Sequence, residues 1–221
     1  KTYGNLYQDT RRALLATENI QDAGVYARML VCHVSGKSQA EFLADRDLYA
    51  SEETVTGVEQ CLQRLLNQEP MAYILGQWEF YGLPIHVSPS VLIPRDDPCA
   101  VAELAIRQAL FLEKDPRILD LCTGSGCIGL AIAKRVKDAR VTLADISQAA
   151  LRVARRNVQD QRLAARVKCI PLDVKKPAQE FLGTFHMIVA NPPYITTREM
   201  AELDPSVRDF EPTIALHGGE D

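Results

Sequence analysis

The sequence predicts an α/β fold: a doubly wound, Rossmann-like parallel sheet preceded by a small N-terminal helical bundle and a β-hairpin linker. Two observations predict the sheet. From about residue 94 onward, apolar runs rich in β-forming residues alternate with amphipathic helical segments, which is typical of parallel βαβ units. One of these runs leads directly into a glycine-rich turn, and such turns lie at the ligand-binding edge of open sheets. The strand candidates are residues 117–122, 140–144, 166–170 and 185–190.

The first domain, residues 1–75, is predicted to be a bundle of short helices because its apolar residues recur at helical spacing. Ser38 followed by Glu41 predicts a capping box at the start of one helix. Ser51 is the predicted cap of another helix, and Pro70 is expected to close it. The residues of this bundle suggest no chemistry of their own, so scaffolding is the simplest interpretation.

Residues 76–93 are predicted to form the hairpin linker. Two alternating segments, Trp78–Tyr81 and Ile85–Val87, flank the turn-forming sequence Gly82-Leu83-Pro84. The main domain follows over residues 94–221 and carries the strand candidates and the candidate site.

Composition indicates an ordinary globular protein, with 47% hydrophobic and 24% charged residues. No apolar run approaches the ~20 residues that cross a bilayer, so no membrane partner is expected. The net charge of −4 argues against a nonspecific nucleic-acid binder. The six cysteines show no paired metal spacing, so we expect no metal site and free thiols in the cytoplasm. His186 is predicted to be a packed strand residue.

The first candidate site is the glycine-rich turn after the strand that begins near Ile118. Gly124, Gly126 and Gly129 satisfy the pattern G-x-G-x-x-G, and a helix is predicted from residue 128 to 137. Asp145 lies about twenty residues on, where this pattern places an acid for ribose hydroxyls. Proteins that bind nicotinamide, flavin and S-adenosylmethionine cofactors share this signal.

Asp120 distinguishes among these cofactors. A carboxylate directly before the loop would repel a pyrophosphate but would suit the ammonium and sulfonium groups of S-adenosylmethionine. The alternative interpretation is a strand-end aspartate that caps the next turn.

The second candidate site is the turn Asn191-Pro192-Pro193-Tyr194, which follows the apolar run Met187–Ala190. That run predicts a buried parallel strand whose carboxyl end delivers the turn to the binding edge. The Asn191 oxygen and the Pro192 carbonyl offer two acceptors for a planar NH2 group, and Tyr194 offers a flat ring. The turn therefore indicates methylation of an amide or exocyclic amine. An ordinary Asn-Pro turn after a core strand is the alternative.

Taken together, these motifs identify a resemblance. The chain resembles release-factor glutamine N5-methyltransferases, the HemK/PrmC family of class I S-adenosylmethionine enzymes. The resemblance covers nearly the whole chain and rests on segments 76–82, 92–95, 120–126, 191–194, 210–212 and 215–216.

The resemblance implies transfer of a methyl group from S-adenosyl-L-methionine to the glutamine of the Gly-Gly-Gln motif in peptide chain release factors, with the helical bundle contacting that protein. Two other functions remain open: a nucleic-acid amino-methyltransferase (adenine N6 or guanine N2) and a non-catalytic binding module. The implied catalytic residues are Asn191, Pro192 and Tyr194, and Pro193 joins them in binding the substrate. The implied cofactor-binding residues are Asp120, Cys122, Thr123, Gly124, Ser125, Gly126, Asp145, Asp173 and Asn191. Asp173 is expected to face the adenine amino group, and a plain turn aspartate is the alternative for this residue.

The chain departs from the family pattern in two places. Asp96-Asp97-Pro98-Cys99 stands where the family continues with proline, an acid, threonine and glutamate, so the chain lacks the side chains through which the last two make contacts. The chain also stops at 218–221, where the family continues. We therefore expect the main domain to be C-terminally incomplete, with strands of the methyltransferase sheet missing.

Overall fold

A computed structural model describes residues 1–17, 20, 22–112, 114–177 and 179–220 of the chain. It forms two compact units, Lys1–Leu75 and Gly76–Asp221. Asp221 itself, the last residue of the predicted main domain, lies outside the described residues. None of the helices in the described ranges is long and apolar enough to cross a membrane.

The first unit is helical, and its core centres on Leu6, Val31, Phe42 and Val58. The predicted capping box is confirmed, because the Ser38 side chain accepts from the Glu41 backbone N–H and the Glu41 side chain bonds back. The helices are α1 Tyr3–Leu15, α2 Ala23–Ser35, α3 Gln39–Ala44, α4 Glu52–Leu66 and α5 Met71–Leu75.

Helix α4 begins at the predicted cap, since the Ser51 side chain accepts from the Thr54 backbone N–H at 3.1 Å. Its end was predicted wrongly. The helix ends at Leu66 with Asn67 as its C-cap, and Pro70 instead precedes α5. A proline lacks a backbone N–H and is tolerated at the start of a helix, where that donor would have no intrahelical partner.

The second unit opens with an antiparallel hairpin of β1 Gln77–Phe80 and β2 Leu83–His86. The structure turns at Tyr81 and Gly82, with φ of 52° and 75°. Two residues of positive φ match the twist of paired strands in a two-residue hairpin. The predicted turn, Gly82-Leu83-Pro84, was therefore placed too late, and Leu83 already pairs with Phe80.

A four-stranded parallel sheet follows, as predicted, and all four strand candidates form strands. Its order is β5-β4-β3-β6. The chain therefore runs outward from β3 and returns to the other side of β3, which makes the boundary between β3 and β6 a switch point. The strands are β3 Arg117–Leu121, β4 Arg140–Asp145, β5 Val167–Pro171 and β6 Met187–Ala190; the helices are α6 Asp96–Ala109, α7 Cys127–Arg135 and α8 Gln148–Asp160, with a 3-10 turn at Glu180–Leu182.

Strand β6 is less buried than predicted. Val189 is buried, but Ile188 is 59% exposed because β6 lies at the edge of the described sheet. His186 is exposed and precedes β6, so the prediction of a packed strand histidine is wrong. Its ring Nδ1 instead accepts a hydrogen bond from the Arg117 backbone N–H at 2.9 Å.

The segment after residue 194 folds into short elements that the sequence analysis did not predict. Two short strands, β7 and β8, pair in parallel and bring residues 217–219 beside the chain that leaves the Asn191 turn. The elements are β7 Ile195–Thr196, α9 Thr197–Met200, α10 Pro205–Arg208, α11 Thr213–Leu216 and β8 His217–Gly219.

Candidate functional site

A cavity of about 620 Å³ lies at the carboxyl ends of β3, β4 and β6. The register pairs Leu121 with Ala190, so the glycine loop and the Asn191 turn leave the sheet side by side. The volume is within the range of about 300–1,000 Å³ that is typical of small-molecule sites. The lining brings together most of the predicted residues: Cys122, Thr123, Gly124, Ser125, Asp145, Asp173, Asn191, Pro192 and Pro193.

Close packing explains the glycines of the loop. A side chain on Gly126, whose φ is 84°, would come within 2.9 Å of Leu143. One on Gly129 would overlap Leu143 and come within 3.0 Å of the Asp120 carboxylate. Gly124 also has positive φ, but a Cβ there would meet no atom within 4 Å. Gly126 and Gly129 thus let α7 approach the sheet closely, whereas Gly124 leaves its part of the cavity open.

Cys122 begins the loop in the left-handed region, with φ of 55°. Such a conformation is uncommon for a residue other than glycine. The half-buried thiol lines the cavity, and desolvation raises its pKa. No local sequence pattern indicated this backbone geometry.

Asp120 lies beneath the loop, is 1% exposed and is not part of the cavity lining. Its Oδ2 accepts hydrogen bonds from the Thr123 hydroxyl at 2.7 Å and from the Gly129 backbone N–H at 3.0 Å. Oδ1 is buried without a hydrogen-bond partner among the described residues. This placement matches the alternative interpretation, a strand-end carboxyl that holds the next turn. Any influence of Asp120 on a ligand therefore acts through the loop.

Burial raises the pKa of Asp120 from 3.8 to about 7, although the bonds from Thr123 and Gly129 favour the charged form. A raised carboxyl pKa stabilises the fold at low pH, and that contribution is lost as the pH rises toward 7. Asp120→Asn does not titrate. In the wild type, the Asp120 carboxyl should lower the free energy of unfolding by up to ~1.4 kcal/mol per pH unit between about pH 4 and 7. In Asp120→Asn we expect this pH dependence to be absent. Urea titrations across this range measure the slope.

The exposed Asp138→Asn is the control and should keep the wild-type slope. If Asp120→Asn also keeps that slope, Asp120 does not carry the titration.

Asp145 ends β4 and lines the cavity. Its Oδ2 accepts from the Gly124 backbone N–H at 2.9 Å, and its Oδ1 accepts from the Ser147 backbone N–H at 2.9 Å. Each carboxylate oxygen retains a second lone pair for a ligand hydroxyl. Asp173 lies two residues beyond β5 and also lines the cavity. Two carboxylates thus flank the glycine loop on the β4 and β5 side.

Carboxylates already occupy two of the loop donors. Gly124 N–H donates to Asp145, and Gly129 N–H donates to Asp120. A pyrophosphate would require free backbone N–H groups and an electropositive surrounding. The loop therefore suits a neutral sugar better than a dinucleotide phosphate.

The Asn191 turn joins the main cavity to a smaller one of about 50 Å³. Asn191, Pro192 and Leu92 line both, and the Asn191 side-chain amide makes no hydrogen bond to any residue that the structure describes. Tyr194 is 71% exposed and lines only the smaller cavity, whereas Ile93 lines only the main one. The turn thus presents an unpaired amide between the glycine loop and an open aromatic surface.

Pro98 occupies the segment that departs from the family pattern. Asp96 and Asp97 form the first turn of α6, and Pro98 is buried and lines both cavities. An apolar ring therefore stands in the wall where the pattern would place a threonine.

Two residues of the site region were missed by sequence reasoning. Glu211 is 5% exposed and accepts from the Ile93 backbone N–H at 3.0 Å and from Arg95 Nη2 at 2.5 Å. Desolvation raises its pKa, against the effect of those two partners. Gly218 touches the turn so closely that a Cβ would come within 2.8 Å of the Pro193 carbonyl oxygen. Glu211 belongs to a family-like segment, but no local pattern indicated either role.

Within the described ranges, no group of three His, Cys, Asp or Glu residues could hold a metal ion. The polar side chains that line the cavity are two carboxylates, the Asn191 amide, several serine and threonine hydroxyls, the thiols of Cys122 and Cys127, and the basic groups of Lys175 and His217.

Comparison with known proteins gives two family matches. Residues 6–76 match the PrmC N-terminal domain, and residues 103–204 match the methyltransferase small domain. The chain is 36% identical over 196 residues to the release factor glutamine methyltransferase of Thermodesulfovibrio yellowstonii, covering 88% of this chain and 69% of that protein. It is 43% identical over 192 residues to the release factor glutamine methyltransferase of Bordetella pertussis, and the match covers 86% of this chain and 68% of that protein.

Among solved structures, an S-adenosylmethionine-dependent methyltransferase from Thiobacillus denitrificans in complex with S-adenosyl-L-homocysteine is 27% identical to the chain. The match covers 43% of this chain and 36% of that one, with a TM-score of 0.35.

Proposed function

Because the chain belongs to the release factor glutamine methyltransferase family, we propose that it methylates the side-chain amide nitrogen N5 of the glutamine in the Gly-Gly-Gln motif of peptide chain release factors. S-adenosyl-L-methionine is the methyl donor. The observation that carries the proposal is the unpaired Asn191 amide, which faces a cavity shared with the glycine loop.

The cavity fits this cofactor in three respects. Gly124 leaves open space beside the loop, so a ligand can approach the backbone closely. Asp145 would hold the ribose hydroxyls, and Asp173 would accept from the adenine amino group. Exposed apolar side chains of Ile146 and Val174 line the cavity and suit a flat base. Residues 122–126 would hold the remainder of the cofactor, with Asp120 fixing the loop from below.

The chemistry of an amide defines the task of the turn. An amide nitrogen is a poor nucleophile because its lone pair is delocalised into the carbonyl. The bound cofactor would supply an electrophilic methyl group and leave as S-adenosylhomocysteine. The methylated nitrogen is acidic, so it would lose one hydrogen to solvent without a general base. The Asn191 side-chain oxygen and the Pro192 carbonyl would accept the two amide hydrogens, which points the nitrogen lone pair into the cavity. Pro193 has no N–H to compete for these acceptors. Alignment at ~3–3.5 Å supplies several kcal/mol of the rate enhancement.

Tyr194 and Leu92 would enclose the amide plane. Both line the smaller cavity, so Leu92, and not Ile93, is the wall that we assign opposite the ring. The ring is largely exposed, and a protein substrate would cover it on binding.

The surroundings of Tyr194 support a protein acceptor over a nucleic acid. A nucleic-acid amino-methyltransferase would need a basic groove beside the stacking ring. The described lining of the smaller cavity contains Arg95, which is already paired with Glu211, and Asp97, which is acidic. We therefore propose no nucleic-acid partner. We also propose no membrane partner. Because the six cysteines are free thiols, we assign the protein to the cytoplasm.

We assign recognition of the release factor to the first unit. Its described surface exposes apolar side chains at Leu43, Leu48 and Tyr49, with Tyr49 82% exposed. Exposed apolar groups of this kind are typical of protein contact surfaces.

Asp145→Ala is expected to weaken binding of S-adenosylhomocysteine by roughly 1.5–3 kcal/mol, because a charge-assisted bond to a ribose hydroxyl is lost. Isothermal calorimetry measures the affinity, and the exposed Asp138→Ala should bind as the wild type does. Tight binding of a nicotinamide nucleotide without any response to S-adenosylhomocysteine would overturn the cofactor assignment.

The acceptor is tested by incubating the protein with labelled S-adenosylmethionine and either a release factor or duplex DNA. The proposal requires label in the release factor. Label in DNA alone would replace it with the nucleic-acid function.

A further inference from the structure

The segment between β2 and α6 forms one wall of the main cavity. We call residues 87–94 the strap; they have no regular secondary structure. Five consecutive strap residues, Ser90–Pro94, line the cavity, and Leu92 also reaches the smaller one. Because this wall has no hydrogen-bonded ladder, bonds from other parts of the chain to its backbone contribute to its position, together with the packing of the buried Val87 and Val91.

The first end of the strap is held by Asn157 of α8, which is fully buried. Its Oδ1 accepts from the His86 backbone N–H at 2.7 Å, and its Nδ2 donates to the His86 carbonyl at 3.0 Å. The same Nδ2 donates to the Ser125 carbonyl at 2.9 Å. One side chain therefore ties the residue before the strap to the glycine loop.

The second end is held by Glu211. Its two oxygens accept from the Ile93 backbone N–H and from Arg95 Nη2. Glu211 precedes α11 and β8, and β8 pairs with the strand that leaves the Asn191 turn. This carboxylate therefore ties the last part of the strap to the segment that supports the acceptor turn.

We propose that Asn157 and Glu211 are positioning residues, with Asn157 setting the cofactor end of the cavity and Glu211 the acceptor end. The inference rests on the proposed function. Both side chains are buried. Loss of Asn157 would leave the buried Ser125 carbonyl and the half-buried backbone of His86 without these partners, and loss of Glu211 would do the same to the half-buried Ile93 N–H. A shift of the strap would move Leu92 relative to Asn191, and misplacement by ~1 Å can slow a reaction by ~100-fold.

Gln161 provides a matched control for Asn157. It lies one turn later on the chain, is 8% exposed, and its Nε2 donates to the Pro84 carbonyl of the hairpin at 2.8 Å. Its side chain makes no described bond to the glycine loop. Replacing either residue loosens the hairpin, but only the Asn157 change releases the loop.

The first arm compares Asn157→Leu with Gln161→Leu by calorimetry with S-adenosylhomocysteine. Asn157→Leu should weaken binding by about tenfold or more, whereas Gln161→Leu should stay within about twofold of the wild type, even where both lower the melting temperature. If Asn157→Leu does not fold, Asn157→Asp, which retains the acceptor for His86, is measured in the same way. Equal affinities for the Asn157 and Gln161 variants would overturn the cofactor-end role.

The second arm uses Glu211→Gln, which retains an acceptor for Ile93 but loses the ion pair with Arg95. At saturating cofactor its single-turnover methyl transfer to a release factor should fall about tenfold, with the affinity for S-adenosylhomocysteine unchanged. A wild-type rate, or a loss confined to cofactor affinity, would overturn the acceptor-end role. Failure of the wild-type protein itself to bind S-adenosylhomocysteine or to methylate a release factor would instead overturn the proposed function.

Discussion

Asn191→Ala is expected to slow single-turnover methyl transfer to a release factor by ~100-fold or more, while the affinity for S-adenosylhomocysteine changes far less. The Asn191 amide makes no described hydrogen bond within the protein and lies where the two cavities meet. Its oxygen would orient the substrate amide in the transition state, so its loss should lower the rate far more than the affinity for the cofactor. Rapid-quench assays at saturating cofactor measure the rate.

Substitutions of Tyr194 are the companion test. Tyr194→Phe retains the ring and should be mild, whereas Tyr194→Ala removes the stacking surface and should be severe. Asn191→Asp retains an acceptor but adds a charge beside the cofactor, and it should also slow the reaction. If Asn191→Ala reacts at the wild-type rate, the turn does not orient the amide.

Gly129→Ala is expected to lower the free energy of unfolding by about 1–3 kcal/mol, as overpacking of a well-packed core does. The added methyl group would overlap Leu143 of β4 and press on the Asp120 carboxylate. Because Asp120 holds Thr123 and the Gly129 N–H, the same change should distort the loop and weaken cofactor binding. Urea denaturation and calorimetry measure the two effects.

Gly24→Ala is the control, because Gly24 also lies inside a helix. There the nearest atom to a new Cβ is the terminal Tyr7 hydroxyl at 3.3 Å, which can move. Alanine is the better helix former, so this variant should be neutral or more stable. If Gly129→Ala behaves like Gly24→Ala, α7 does not require glycine for its approach to the sheet.

Local patterns were sufficient for the sheet and the two loops. Apolar runs that alternate with helical segments predicted all four parallel strands, and parallel pairing then placed the residues after β3 and β6 together. Gly124 and Asn191, which follow neighbouring strands, line the same cavity, and this could be predicted without any contact between residues distant in the sequence.

The burial of individual side chains, and their hydrogen-bond partners that are distant in the sequence, could not be predicted in this way. The sequence places Asp120 on a strand before a loop, but it does not predict that Asp120 lies beneath that loop, with one oxygen that has no partner among the described residues. Asn157 forms a hydrogen bond with His86, which is 71 positions away, and Glu211 with Ile93, which is 118 positions away. The periodicity of the sequence does not predict pairs at such separations. His186 lies in an apolar run, yet the strand begins after it, so its exposure depended on where pairing with β3 starts.

Tandem mass spectrometry of a release factor after incubation with the protein and S-adenosylmethionine tests the central claim most directly. The amide-orienting turn predicts a single added methyl group, located on the side-chain nitrogen of the Gly-Gly-Gln glutamine. It predicts no methyl group when that glutamine is replaced by glutamate, which has no N–H to donate to Asn191 and Pro192. A methyl group on another residue, or equal transfer to the glutamate-bearing substrate, would contradict it.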